Sequence, residues 1–124
     1  MNLSRLGIVM LGARDLARSI PFYRDTLGLP LQASSAEFAF FDGGGVTLCL
    51  RAAPALGAPV DEGRTELVFT VDDIDAAYES LSSRGVQFRV TPRIVTGDQL
   101  AADFRDLDGN VLSIFGRRAA AKAN

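Results

Sequence analysis

Short runs of alternating apolar and polar positions recur along the chain, and the runs come twice in the same order. Residues 5–12 read as a short apolar strand. The turn at Ala13-Arg14 then predicts a helix over about 15–26. Asp15 is its expected N-cap, and Leu16, Ile20, Tyr23 and Leu27 stand at helical spacing. Pro21 would break a helix interior, so the helix is expected to restart at Ser19 with Pro21 in its first turn. Gly28 should end it. Strands are expected at about 29–33, 36–42 and 45–52, the last two joined by Gly43-Gly44-Gly45. Residues 53–64 hold Ala, Pro and Gly without periodicity and read as a connector or a flap.

The second half repeats this order. A strand at 65–71 precedes a helix at about 73–84, capped by Asp72 or Asp73 and ended by Gly85. Strands are expected at about 86–93, 100–106 and 110–116, with Asp108-Gly109-Asn110 turning between the last two. The pattern is therefore β-α-β-β-β twice, and a repeat fixes the fold class. Pairing Asp15 with Asp73 gives an offset of 58 (73 − 15), and pairing Leu48 with Leu112 gives 64 (112 − 48). The difference of six is loop length. The expected fold is α+β, with module one at about 5–52, the connector at 53–64, module two at about 65–116 and a tail at 117–124.

Alternation sorts the strands into two faces. Val9, Leu11 and Ala13 should pack on the first helix, leaving Ile8, Met10 and Gly12 opposite. Leu67, Phe69 and Val71 should pack on the second helix, leaving Glu66, Val68 and Thr70. In the same way Thr47, Cys49 and Arg51 oppose Leu48 and Leu50, and Val111, Ser113 and Phe115 oppose Leu112 and Ile114. Phe40, Phe41, Phe104 and Phe115 could line either face.

Composition narrows the chemistry. A chain of 124 residues predicts one domain, long enough to bury roughly two-thirds of its unfolded surface. The net charge of −2 comes without long charge runs, so neither a nucleic-acid nor a membrane surface is expected. No apolar stretch nears the ~20 residues of a membrane span, and the start Met1-Asn2-Leu3-Ser4-Arg5 lacks the long apolar region of a signal peptide. The lone Cys49 rules out an internal disulfide framework, which fits a cytoplasmic setting. The chain has no histidine, so Ser113 has no Ser-His activation. Asp106-Leu107-Asp108-Gly109-Asn110 reads as a hairpin turn rather than a calcium loop, since the further ligands and the distal Glu are missing.

Three segments carry a resemblance. They are Ala13-Arg14-Asp15-Leu16-Ala17-Arg18-Ser19-Ile20-Pro21-Phe22-Tyr23 with Leu27-Gly28-Leu29, then Val71-Asp72-Asp73-Ile74-Asp75-Ala76-Ala77-Tyr78 with Leu81 and Arg84-Gly85-Val86, and last Phe104 to Ile114. Together they resemble the vicinal oxygen chelate superfamily, the glyoxalase/bleomycin resistance/dioxygenase group. The resemblance implies two βαβββ modules forming a curled mixed sheet with helices on the outer face. It implies that the non-helix faces form an open cavity for a ligand, and that the chain pairs as a homodimer.

It also implies four metal-ligand positions, which fall here at Ile8, Cys49, Glu66 and Ser113. One carboxylate, one thiol, one hydroxyl and an isoleucine make a poor metal set, so no metal and no cofactor are expected. The ligand-binding candidates are Ile8, Met10, Thr47, Cys49, Arg51, Glu66, Val68, Ser113 and Phe115. Glu66 is the catalytic candidate, because a carboxylate on an apolar strand face needs a partner, a ligand or water. Arg51 is its candidate partner, and Cys49 is read as a small hydrophobe. Two functions follow. One is metal-free binding of a small planar or amphipathic molecule, as in resistance by sequestration. The other is a lyase, isomerase or dioxygenase-like enzyme using Glu66 as acid/base or an atypical metal site.

Overall fold

The computed structural model describes residues 6–54 and 65–119. The chain divides into two compact units, Met1–Ala58 and Pro59–Asn124. In the first unit β1 (Ile8–Ala13) leads into α1 (Leu16–Pro21), then β2 (Leu31–Ser34), β3 (Phe38–Asp42) and β4 (Thr47–Ala52). In the second, β5 (Glu66–Thr70) leads into α2 (Ile74–Ser83), then β6 (Val90–Thr96), β7 (Gln99–Arg105) and β8 (Val111–Arg117). Each unit carries its own four-stranded mixed sheet, ordered β1-β4-β3-β2 and β5-β8-β7-β6. In both, the last strand returns parallel beside the first and antiparallel beside the third. The doubled β-α-β-β-β order read from the sequence is thus present, with one four-stranded mixed sheet in each unit.

Local chemistry explains the helix ends. Asp15 accepts a hydrogen bond from the Ala17 amide at 3.1 Å and caps α1. Asp73, rather than Asp72, caps α2, accepting from the Asp75 and Ala76 amides at 3.1 and 3.2 Å. Such a cap satisfies amides that have no partner within the helix. Asp73→Ala is expected to lower stability by about 1 kcal/mol, read from the midpoint of urea unfolding. Gly28 and Gly85 follow the helical segments with φ of 82° and 96°, a backbone region that strains any residue with a Cβ.

Pro21 behaves differently from expectation. The helix does not restart at Ser19; it runs from Leu16 through Pro21 and then widens into a π-helical turn over Phe22–Thr26. Pro21 has no N–H to give the Ala17 carbonyl, so the ladder loses a rung there. The chain recovers with a wider bond, from the Leu27 amide to the Phe22 carbonyl at 2.9 Å.

Each helix covers one face of its sheet. In the first unit Leu11, Ala13, Ala39, Phe41, Leu48 and Leu50 are buried, together with Tyr23. The Tyr23 and Phe41 rings lie 5.7 Å apart. In the second, Ile74 of α2 packs with Leu100, Ala102 and Ile114, and Phe69, Val71 and Leu81 close around them. The opposite faces stay partly open. Ile8, Met10 and Val68 are 54%, 51% and 54% exposed, which is unusual for side chains of that size in strands. The connector residues 55–64 and the end of the tail, 120–124, lie outside the described residues. Of the tail, Arg118 pairs with Asp75 at 2.9 Å.

Candidate functional site

The open face of the first sheet is built around β4. Register sets Met10 beside Cys49, Ile8 beside Thr47 and Gly12 beside Arg51. On the other side of β4, Phe40 lies beside Cys49, Phe38 beside Arg51 and Asp42 beside Thr47. The Phe38 and Phe40 rings are 6.0 Å apart and tilted by 31°. This face is therefore apolar and aromatic, with Arg51 exposed at one end. Cys49 at its centre is buried, and its thiol donates to the Leu50 carbonyl at 3.7 Å. Burial pushes the thiol's pKa up, which disfavours the nucleophilic thiolate. The thiol thus behaves as the small hydrophobe its strand position suggested.

The second sheet repeats the geometry with different chemistry. Ser113 occupies the centre of β8, between Val68 of β5 and Asp103 of β7. Glu66 lies beside Val111, and Thr70 lies beside Phe115. Ser113 is buried as a residue, Phe115 is half-buried and Glu66 is exposed at the first residue of β5. Among the described residues of its own unit Glu66 makes no ion pair. Of the sequence candidates, Ile8, Met10, Thr47, Cys49 and Arg51 thus share one face of the first sheet, while Glu66, Val68, Ser113 and Phe115 share one face of the second.

The structure adds residues that the sequence reading passed over. Asp103 projects from β7 on the same face as Ser113, and its carboxylate pairs with Arg89. The distance from Arg89 Nε to Asp103 Oδ1 is 2.9 Å, with the side chains 33% and 14% exposed. The signal was in the alternation: Leu100, Ala102 and Phe104 point to the core, so Ala101, Asp103 and Arg105 take the other face. Phe38, two residues before Phe40, was missed for the same reason. The unsorted phenylalanines now divide. Phe41 and Phe104 are core residues at 0% and 1% exposure, and Phe40 and Phe115 belong to the open faces.

The donor chemistry at the four positions that the resemblance assigns to metal ligands does not fit a divalent ion. Ile8 offers no donor, Cys49 is held as a buried thiol, Ser113 offers a neutral hydroxyl, and only Glu66 carries a charge. Divalent ions of this kind need several carboxylate, imidazole or thiolate ligands together. Among the described residues no three Cys, Asp or Glu side chains gather closely enough to supply them.

Comparison with known proteins agrees with this architecture. The family model of the Glyoxalase/Bleomycin resistance protein/Dioxygenase superfamily matches residues 5–114. The uncharacterized protein YraH of Bacillus subtilis is 29% identical over 120 residues, covering 86% of this chain and 94% of its own. Metallothiol transferase FosB of Staphylococcus haemolyticus is 30% identical over 103 residues, covering 81% of this chain and 74% of its own. Among solved structures, a glyoxalase/bleomycin resistance protein/dioxygenase from Nocardioides superposes with a TM-score of 0.78 at 27% identity, covering 100% of this chain and 90% of that one. A lactoylglutathione lyase from Agrobacterium tumefaciens shares the fold, with a TM-score of 0.75 at 19% identity over 94% of this chain and 96% of its own. With its doubled β-α-β-β-β modules and a family match running through both of them, the chain belongs to the Glyoxalase/Bleomycin resistance protein/Dioxygenase superfamily.

Proposed function

We propose that this protein binds a small planar or amphipathic molecule on the open faces of its sheets and works without a resident divalent metal. The donor set carries this reading. Where the superfamily places metal ligands, this chain has Ile8, Cys49, Glu66 and Ser113. The faces around them are suited to binding instead. Ile8, Met10 and Val68 leave apolar surface open, and Phe38 and Phe40 supply flat rings beside it. Burial of such surface by a ligand is worth roughly 25 cal/mol per Å² before the costs of association. The biological role that follows is sequestration, as in resistance to a toxic small molecule. The protein is further proposed to act in the cytoplasm as a homodimer, with neither nucleic acid nor membrane as partner. A net charge of −2 without basic runs supports the last point, and no helix of the described residues is long and apolar enough to cross a membrane.

A second reading has its own support. Glu66 is an exposed carboxylate on an open face, without an ion pair among the described residues of its unit, and so is free to act on a ligand as a general base. The identity shared with a protein named metallothiol transferase points the same way. On this reading the chain is a lyase, isomerase or dioxygenase-like enzyme using Glu66 as acid/base or an atypical metal site.

One experiment tests the main reading in three respects. Native mass spectrometry of untagged protein, purified with no added ligand, should give about twice the chain mass of 13.2 kDa. It should show substoichiometric divalent metal, and a mass shift from a retained small molecule that disappears on denaturation. One tightly held zinc, iron or manganese ion per chain would overturn the metal-free reading. A monomer throughout the micromolar range would overturn the dimer.

A further inference from the structure

The two open faces differ at their centres. Equivalent central positions hold Cys49 and Ser113, but Cys49 is flanked by Met10 and Phe40 while Ser113 is flanked by Val68 and Asp103. Module two therefore carries a polar pair where module one carries none.

The pair has a defined geometry. Asp103 and Ser113 are direct partners in the antiparallel β7–β8 ladder, which sets their Cα atoms about 4.5–5.5 Å apart on one face. Arg89 holds Asp103 Oδ1 through Nε at 2.9 Å, which orients the carboxylate. Among the described residues neither Asp103 Oδ2 nor Ser113 Oγ has a hydrogen-bond partner, and no side-chain oxygen or nitrogen there is both buried and unpaired. Both oxygens therefore open to solvent, although Ser113 is only 3% exposed as a residue and the Asp103 side chain 14%. Around them on that face lie the apolar side chains of Val68, Ala101, Val111 and Phe115, with Glu66, Thr70 and Arg105 toward its ends. An oriented carboxylate oxygen beside a hydroxyl, framed by apolar groups, is a recognition element that water alone leaves underused.

We infer that Asp103 and Ser113 form a specificity pair for a planar ligand whose edge carries an N–H donor beside a carbonyl acceptor, as in a lactam or cyclic amide. The inference rests on the reading of the open faces as a binding surface and names what module two selects. The carboxylate of Asp103, held by Arg89, is an acceptor, so the ligand must donate to it. Ser113 can turn its hydroxyl proton toward the adjacent carbonyl. Arg89 already balances the charge of Asp103, so a neutral donor suits the site better than a cation. The apolar frame takes the flat ring.

The test uses oxindole, which has a lactam edge on a planar bicycle, and N-methyloxindole, which keeps the shape and loses the donor. Each is titrated into the ¹⁵N-labelled full chain. Oxindole should shift the amides of β7 and β8, with an affinity at least about tenfold above that of N-methyloxindole, the worth of one hydrogen bond to a charged acceptor. Asp103→Asn should reduce that ratio toward one, and Ser113→Ala should weaken the binding of both probes severalfold through the lost bond to their shared carbonyl. Ser113→Ala removes a single oxygen and keeps the Asp103–Arg89 pair, so it stays informative if Asp103→Asn unfolds. Equal binding of the two probes would overturn the pair and leave open-face binding standing. A preference that survives Asp103→Asn, an oxindole affinity unchanged by Ser113→Ala, shifts confined to module one, or no shift from either probe would also overturn it. The native mass measurement judges the broader reading independently of all these outcomes.

Discussion

Glu66→Gln is expected to leave folding almost untouched and to divide the two functional readings. Glu66 is exposed at the start of an edge strand, and glutamine keeps its length and shape. The free energy of unfolding should therefore stay within about 0.5 kcal/mol of the parent. The functional effect is where the readings part. An enzyme using Glu66 as base should retain binding and lose turnover by roughly 10²–10⁴. A binding protein should show only a graded change in affinity for whatever molecule the purified chain retains. Urea unfolding and calorimetry on this single variant supply both measurements. A fall in stability of about 1–3 kcal/mol would instead mean that Glu66 pairs with a cation, with Arg51 the candidate from the sequence. Unchanged stability, binding and turnover would remove Glu66 from the site.

The largest loss of stability is expected from Asp106→Ala. Asp106 follows β7, and its carboxylate is the centre of the turn into β8. Its Oδ1 accepts from the Asp108 and Asn110 amides at 2.9 and 2.8 Å, and its Oδ2 accepts from Asn110 Nδ2 at 2.8 Å. Asp106 is only 8% exposed, so water replaces these bonds poorly. The turn also receives the Gly109 amide on the Asp106 carbonyl at 3.2 Å, with Gly109 at a φ of 85°. Removing the carboxylate takes the acceptor from two backbone amides at once. A cost of about 2–4 kcal/mol follows, against about 1 kcal/mol for an ordinary hydrogen bond. The midpoint of urea unfolding should drop while the slope stays the same. Asp106→Asn should cost less, since one oxygen remains to serve the amides. A loss below about 0.5 kcal/mol for the alanine variant would show that the turn holds without its carboxylate. The consequence reaches the proposed pair, because this turn sets the β7–β8 register that brings Asp103 beside Ser113.

Much of the architecture was legible in the chain itself. Period-two alternation marked strands and their faces, and glycines marked where helices stop. The repeat offsets of 58 and 64 pair the modules from the sequence alone. These signals are local: each depends on residues a few positions apart, whose preferences hold in any surroundings. That Ile8 cannot ligate a metal was equally legible, because an isoleucine offers no donor in any fold. Other features needed the folded chain. Whether a missing N–H at Pro21 interrupts a helix or widens it depends on whether the next turn can find another carbonyl, and here the Phe22 carbonyl receives Leu27. Whether Phe40 or Phe41 enters the core depends on which face the helix covers. The neighbour of Ser113 depends on strand order, since Asp103 is ten residues away along the chain and adjacent only across the ladder. Composition and spacing thus pointed to the family, whereas cross-strand register, set by turns such as that of Asp106, decided which side chains stand together on each open face.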